Sequence, residues 1–465
     1  METAQAREST VVRPWPLGLP LLTEVRRDPL GAMERFHAEC GDVAHLRVLS
    51  TDLYYLFHPA LARSVLVDHQ DIFTKEERTL DIFHTVHGAN VITTDGPVWE
   101  RQRRILKGSF TLQRIEACSG LMAAAADLGI SSELPQRGGE TSLIDVDRFT
   151  TRITMDVILR ALFGYRGSRS REESDAISGA VRALSRQVMR EFFWPVRPSS
   201  WWPYPGRADK HRHLELLRGL IEPRIRERRG ATETALPPAA DMLDLMLAAR
   251  DEAADAESPA LTDEEIYANC IGLFGAGHDT SASVLAWWIG LMAAHPDVAE
   301  RVREEARARP GVPGSARSLG EAPYLHATLK EAMRLYPPSA ATFTRKATRE
   351  AHLDGLTIPC GALVVIPIWS LHRDDRWFPA PEVFQPERFL PGAATVPRGA
   401  FMPFGAGPHV CLGQQFAMVE MALIADRLLQ AYDFALPRGT DLPVPRVELV
   451  LKPASPLRVE FTRRH

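Results

Sequence analysis

A mostly α fold with a small β region, an α+β class, is what this chain predicts, on three observations. Apolar residues recur with helical period through most of its length, as in Thr151 to Phe163, Ala176 to Met189 and Asp241 to Ala249. Strand-like runs are few and short, at Val43 to Leu49, Leu53 to Phe57, Leu363 to Ile368 and Val447 to Leu451. One segment, Ile271 to Leu291, is apolar almost all round, the mark of a helix buried through the core.

In chain order, Met1 to Val12 is polar and charged where a signal peptide or anchor needs an apolar centre. Residues 13 to 30, rich in Pro and Leu, read as an extended leading segment. A flexible N-terminus over residues 1–14 and a single domain over 15–465 are expected. Ser50-Thr51-Asp52 joins the first two strand-like runs as a hairpin, and Pro59 then opens a helical run to Val67. Residues 228 to 262, rich in Ala, Glu and Pro, read as surface connections around one amphipathic helix. Thr262 with Glu265 three residues on has the signature of a capping box, and helical character persists from there to His295-Pro296. The later strand-like runs lie far from the first, so sheet pairing must be long-range. No internal repeat is visible.

The chain has 465 residues and no linker long enough to separate independent domains. With 45% hydrophobic and 25% charged residues it has the balance of a soluble globular enzyme able to enclose a ligand. A formal net charge of -4 gives no global attraction to nucleic acid. The cysteines at 40, 118, 270, 360 and 411 are odd in number and lack paired or metal-type spacing, which points to a reducing, cytoplasmic compartment. The longest apolar stretches, around Val284 to Ala294 and Ala362 to Trp369, fall short of the roughly 20 residues that span a bilayer, so no membrane span is expected.

Three constellations carry chemistry. Cys411 lies in Phe404-Gly405-Ala406-Gly407-Pro408-His409-Val410-Cys411-Leu412-Gly413, ahead of a long amphipathic helix. Gly405 and Gly407 permit positive backbone dihedrals and close approach, Pro408 stiffens the loop, and the sulfur is presented at a helix start, where the dipole favours the thiolate that binds iron. A lone cysteine in such a turn also fits a buried structural role.

The second constellation is Gly272-Leu273-Phe274-Gly275-Ala276-Gly277-His278-Asp279-Thr280, within the buried helix. Its three glycines cost about 1 kcal/mol each relative to alanine. The Thr280 hydroxyl can bond the carbonyl one turn back, near Ala276, leaving a groove with a hydroxyl and a carboxylate beside it. A helix–helix contact made close by small residues is the alternative. In the third, Glu331 and Arg334 share a helix face, followed by Leu335-Tyr336-Pro337-Pro338 and later by Pro386-Glu387-Arg388-Phe389. Alone, such a pair reads as a solvated ion pair worth a fraction of a kcal/mol.

The loop, with its Phe, spaced glycines, basic residue two before the cysteine and glycine two after, resembles the haem-binding loop of the cytochrome P-450 family. Ala276-Gly277-His278-Asp279-Thr280 resembles that family's distal-helix motif, and the resemblance, to a soluble bacterial-type member, covers about residues 15 to 460. It implies the cytochrome P-450 fold, with haem b buried between a long distal helix and a cysteine loop plus proximal helix. Cys411 is then the iron ligand, and Phe404, Gly405, Ala276 and Gly277 lie against the cofactor. Trp99, Arg103, Arg345 and His409 match the positions that meet the propionates, although Arg101, Arg104 and Lys107 leave a solvent-facing role open for Arg103. Thr280 hydrogen-bonds dioxygen and Asp279 relays protons, while Glu331, Arg334 and Arg388 form a structural network behind the haem.

The same resemblance implies monooxygenation of a hydrophobic small molecule, of natural-product or lipid-like kind, with dioxygen as co-substrate. Electrons come from a ferredoxin or other one-electron donor with a separate reductase, and a monomer is expected; the exposed cations of the Arg-rich helix either steer such a donor or form an ordinary charged face. Phe83, Val86, Leu273, Phe274, Ala341 and Phe343 are candidate lining residues. The aromatic residues Phe192, Phe193, Trp194, Trp201, Trp202 and Tyr204 form either an access lid or loop packing. Two other readings are a peroxide-driven haem enzyme of the same fold, against which the Asp279-Thr280 pair argues, and a non-enzymatic haem binder, which would need no proton relay. Cys411 as a nucleophile lacks a recognisable partner base.

Overall fold

The computed structural model describes residues 10–12, 18–164, 171–194, 204–230, 241–249, 260–309 and 319–465. Its residues group into two compact units. The first comprises 1–81, 330–411 and 445–452, the second 82–329, 412–444 and 453–465.

The first unit is built on a six-stranded mixed sheet in the order Thr10–Val12, Val43–Val48, Thr51–Leu56, Leu363–Val365, Arg345–Ala347 and Phe73–Lys75. The second and third strands form the expected hairpin, Val48 opposite Thr51, with Leu49 taking the positive φ of 54° that reverses the chain. Long-range pairing places Leu53 beside Leu363, in parallel, and Lys75 beside Arg345. A second hairpin pairs Ala351–Leu353 with Leu356–Ile358 across Asp354-Gly355, both at positive φ, as a two-residue turn of right-handed twist requires. Leu46, Leu56, Phe57 and Val364 point into apolar clusters beside the sheet.

Four local expectations change here. Thr10–Val12, expected to be flexible, is a β-branched run that pairs in parallel with Val43–Val48. The leading segment is helical rather than extended from Leu19 to Arg27, because Pro20 fits a first helical turn and Leu21 and Val25 share one apolar face. The run at Leu363 stops at Val365, since Pro367 cannot donate to a ladder, and Ile368–Leu371 turns into a short helix. The run from Val447 to Leu451 is two strands, Pro445–Val447 and Leu451–Pro453, joined by a turn in which Glu448 N–H bonds the Val450 carbonyl.

The second unit is helical. Its long helix, Asp263–Ala294, starts with the expected capping box, Thr262 and Glu265 bonding each other's backbone N–H, and ends at His295. Trp287 and Trp288 are fully buried on it, and Trp288 Nε1 donates to Thr328 Oγ1 at 2.9 Å. Helices Leu112–Glu133, Val146–Phe163, Arg171–Phe192, Arg207–Gly230 and Gln414–Ala431 belong to the same unit, with an antiparallel sheet ordered Tyr432–Ala435, Arg458–Arg463 and Thr141–Asp145. Between residues 228 and 262, the described part carries the expected helix as Met242–Ala248. Among the described residues no helix is long and apolar enough to cross a membrane.

Candidate functional site

In the first unit, the cysteine loop is shaped by its glycines as the residues require. Gly405 and Gly407 have φ of 75° and 71°. A Cβ on Gly407 would lie 2.0 Å from the carbonyl oxygen of Leu66, so only glycine fits there, whereas a Cβ on Gly405 would meet nothing within 4 Å. Backbone bonds from Gly405 N–H to Met402 O, Val410 N–H to Gly407 O and Cys411 N–H to Phe404 O, at 2.9 to 3.0 Å, wind the loop around the sulfur-bearing residue. Cys411 is exposed, and Gln414 opens the next helix.

The start of this loop is held by a residue that the sequence did not single out. His372 is fully buried, and its Nε2 accepts the Met402 N–H at 3.0 Å. Burial, then the charges of Arg334 and Arg373, push its pKa down to about 3, so the ring stays neutral and can accept. Arg345 is buried on its strand, and His409 sits half-buried in the loop's short turn.

Glu331, Arg334 and Arg388 come together in the same unit. Arg334 grips Glu331 with both arms of its fork, Nε to Oε2 at 2.7 Å and Nη2 to Oε1 at 2.8 Å, and both side chains are 0% exposed. Glu331 Oε1 also accepts from Arg388 Nε at 3.4 Å and from the Gln385 N–H at 2.9 Å, while Arg334 also bonds the carbonyls of His372, Pro381 and Val383. The group ties the helix Pro323–Leu335 to the chain over 372–388, and it is not a solvated surface pair.

In the second unit, Thr280 Oγ1 donates to the Ala276 carbonyl at 2.6 Å, the bond one turn back that the sequence suggested. Leu273, Ala276 and Thr280 share the more exposed face of the helix, and Asp279 is buried beside them. Phe274, a candidate lining residue, is 1% exposed and turned to the opposite face, where its ring meets His278. Val86 is 4% exposed and Phe83 half-buried; in the first unit Ala341 and Phe343 are half-buried.

The three glycines each make room for a particular neighbour. A Cβ on Gly272 would lie 2.7 Å from the Asn90 amide nitrogen, on Gly275 3.3 Å from His87 Cε1, and on Gly277 3.0 Å from Ile158 Cδ1. Asn90 Nδ2 bonds the Ala268 carbonyl at 3.1 Å, and Asn269 Oδ1 accepts the Val91 N–H at 3.1 Å, so the segment before Trp99 is fastened to the long helix.

From the other side, Thr150 and Thr154, one turn apart on Val146–Phe163, donate to the carbonyls of Ala282 and His278, both at 3.0 Å. These two contacts bracket Thr280. Their sequence signal, two threonines at a spacing of four in an apolar helix, is too common to have been read as a site.

The Arg-rich helix Gly96–Lys107 sorts its cations. Arg101 is held by Glu265 and the Ala260 carbonyl, Arg104 and Lys107 are exposed, and Arg103 lies half-buried with its guanidinium 5.6 Å from the centre of the buried Trp99 ring. A further unpredicted group is Glu420 on Gln414–Ala431. It is 1% exposed, neither carboxylate oxygen has a hydrogen-bond partner among the described residues, and burial pushes its pKa up to about 8. The Ser281 hydroxyl beside it offsets that slightly without a hydrogen bond of normal geometry. Of the proposed aromatic lid, Phe192 meets Phe193 and Trp194 meets Tyr204 edge to face, while Trp201 and Trp202 lie outside the described residues.

The donor chemistry fits a haem. Among the described residues no three His, Cys, Asp or Glu side chains converge as a metal cage, and the exposed Cys411, on a loop wound by its own backbone hydrogen bonds, suits a metal that brings its other ligands in a macrocycle. Gly407, pressed on Leu66, fixes that loop, and the same unit supplies Arg345 and His409 as cationic or N–H partners for carboxylates.

The family model described as Cytochrome P450 matches residues 11–461. The chain is 30% identical to a cyclooctat-9-en-7-ol 5-monooxygenase of Streptomyces melanosporofaciens, over 92% of this chain and 92% of that one. It is 28% identical to cytochrome P450 4A11 of Homo sapiens, over 81% of this chain and 73% of the relative. Identity to a taurochenodeoxycholic 6 alpha-hydroxylase of Sus scrofa is 27%, over 78% and 73%. A family match of that length, carried by a chain whose cysteine loop and long helix fold as described, has one meaning: this chain belongs to the cytochrome P450 family.

Proposed function

We propose that this chain is a haem-thiolate monooxygenase that inserts one atom of dioxygen into a hydrophobic small molecule, with electrons from a separate one-electron donor. The observation that carries this reading is the Thr280 hydroxyl bonded to Ala276 O at 2.6 Å on the exposed face of the long helix, with Asp279 next to it. A haem binder without oxygen chemistry, or an enzyme fed with peroxide, has no use for that pair.

Cys411 would hold the iron, Phe404, Gly405, Ala276 and Gly277 would lie against the macrocycle, and Trp99, Arg103, Arg345 and His409 would meet its carboxylates. Haem on a thiolate supplies dioxygen activation and one-electron chemistry. Thr280 Oγ1, which here donates its proton to Ala276 O, would turn that proton to dioxygen, and the neighbouring Asp279 carboxyl would relay protons to it. Exposed Arg104 and Lys107 offer an acidic donor such as a ferredoxin a cationic face. Half-buried Phe83 and Leu273, both in the second unit, suit an apolar substrate. One relative is named for acting on an alcohol, cyclooctat-9-en-7-ol, and that class is carried over as a starting point. A cytoplasmic location accords with the scattered, odd-numbered cysteines.

The test is a pair of variants in the purified, haem-loaded protein. Cys411→Ser should abolish the thiolate-type spectrum of the reduced carbon monoxide complex; its retention would overturn the ligand assignment. Thr280→Ala should keep substrate binding while most reducing equivalents emerge as peroxide. Unchanged product per electron, together with full turnover on peroxide alone, would replace this reading by the peroxide-driven one.

A further inference from the structure

Within the second unit, a polar cluster sits where an apolar pocket wall was expected. Lys210 and Glu191, on helices Arg207–Gly230 and Arg171–Phe192, are each 6% exposed and joined at 2.8 Å. Gln187 Nε2 bonds the same Glu191 oxygen at 3.0 Å, and Lys210 Nζ also donates to Thr85 Oγ1 at 2.5 Å. Two residues after Thr85 comes His87. Its ring stacks on Phe83 with centroids 5.8 Å apart and rests against Gly275, the residue before Ala276. Its Nδ1 is buried with no hydrogen-bond partner among the described residues.

A buried ion pair adds little stability over apolar residues of the same volume, so its retention calls for another reason. A buried ring nitrogen left idle calls for one as well. Gly275 carries no side chain, and a Cβ there would press on this imidazole, 3.3 Å from its Cε1. Burial, then the charge of Lys210, holds the His87 pKa down at about 4, so the ring is neutral at pH 7 and available as a single donor and a single acceptor. Glu191 already compensates the Lys210 charge.

We infer that His87 is the polar anchor of the substrate pocket, and that the substrate is a mainly hydrocarbon molecule bearing a neutral oxygen function, a hydroxyl or a carbonyl. A carboxylate would find no uncompensated cation in this cluster and would be desolvated at a loss. A pure hydrocarbon would leave the imidazole unused. This rests on the monooxygenase reading and deepens it by naming the substrate class; His87 positions the substrate and takes no part in bond breaking.

The experiment uses full-length, haem-loaded protein and probes of one skeleton that differ at one end: farnesene, farnesol and farnesoic acid, then the same triplet on the geranylgeranyl chain. Dissociation constants come from spectral titration and, independently, from ligand-induced thermal shift. Farnesol or its longer homologue should bind about tenfold more tightly than its hydrocarbon, the equivalent of one good hydrogen bond, and more tightly than its acid. His87→Phe should erase the preference for the alcohol while leaving hydrocarbon binding within about twofold, and His87→Gln should restore part of it. A retained preference in His87→Phe, an acid that binds best, or no preference for the alcohol in either series, absence of binding included, overturns the inference. If the Phe variant does not fold, the Gln and Ala variants must show graded loss of the preference, and an unchanged preference in both has the same force. A missing thiolate-type carbon monoxide spectrum would instead sink the monooxygenase reading, and the thermal-shift comparison remains readable without it.

Discussion

Glu420 keeps its proton because the interior around it offers no partner for a charge, and its pKa of about 8 stands well above the ordinary 4.5. The native state therefore binds a proton that the unfolded chain releases, and stability falls as pH rises from about 4.5 to about 8. Glu420→Gln should stabilise the protein by up to about 3–5 kcal/mol at pH 8 and by a small fraction of that at pH 5, an order-of-magnitude expectation from the size of the shift. Urea melts at the two pH values check this; an equal effect at both would show that ionisation is not the cause. Cys411 and Thr280 could be found in the sequence because their chemistry is announced by local neighbours, glycines above all. Glu420 could not, because an acid in an amphipathic helix looks the same whether it faces water or, as here, the side chains of a neighbouring helix. His372 escaped notice for the same reason.

The long helix was legible at its ends and only half legible in its middle. Thr262 with Glu265 and His295-Pro296 are local signals, and the helix runs between them. The glycines mark a stretch that neighbours approach closely, but those neighbours, Asn90, His87 and Ile158, come from distant parts of the chain. Arg101, Arg103, Arg104 and Lys107 are equivalent in sequence, and only Glu265 and Trp99 separate them. Thr150 and Thr154 hold the carbonyls on either side of Thr280, so they should set how firmly that hydroxyl is placed. Thr150→Val and Thr154→Val, close to isosteric, should each cost about 0.5–1.5 kcal/mol in denaturant unfolding, with the double variant near the sum. Stability unchanged in the double variant would show that the two bonds contribute nothing net.

Across the whole molecule, the first unit is assembled from three separate stretches of chain, and its sheet joins strands as far apart as Leu53 and Leu363. Val43–Val48, Thr51–Leu56 and Leu363–Val365 were visible in the sequence as strands, whereas Thr10–Val12, Phe73–Lys75 and Arg345–Ala347 were not, and neither was the order, because pairing is decided by which apolar faces meet. The Glu331 group is the charged counterpart of that assembly. Arg334→Met would strand a buried carboxylate and should lower stability by about 3–5 kcal/mol, and adding Glu331→Gln should recover part of the loss. Thermal unfolding of the three proteins tests this, and a double variant no better than the single would place the damage in the lost carbonyl contacts instead.

The loop glycines differ in their tolerance of change. Position 407 admits no residue with a Cβ, since the Leu66 carbonyl already occupies that volume, whereas 405 meets no protein neighbour and is held to glycine by its left-handed backbone and by the cofactor face proposed for it. Anyone retuning this protein by directed evolution should therefore leave 407 fixed, because every side chain there would have to displace the chain at Leu66.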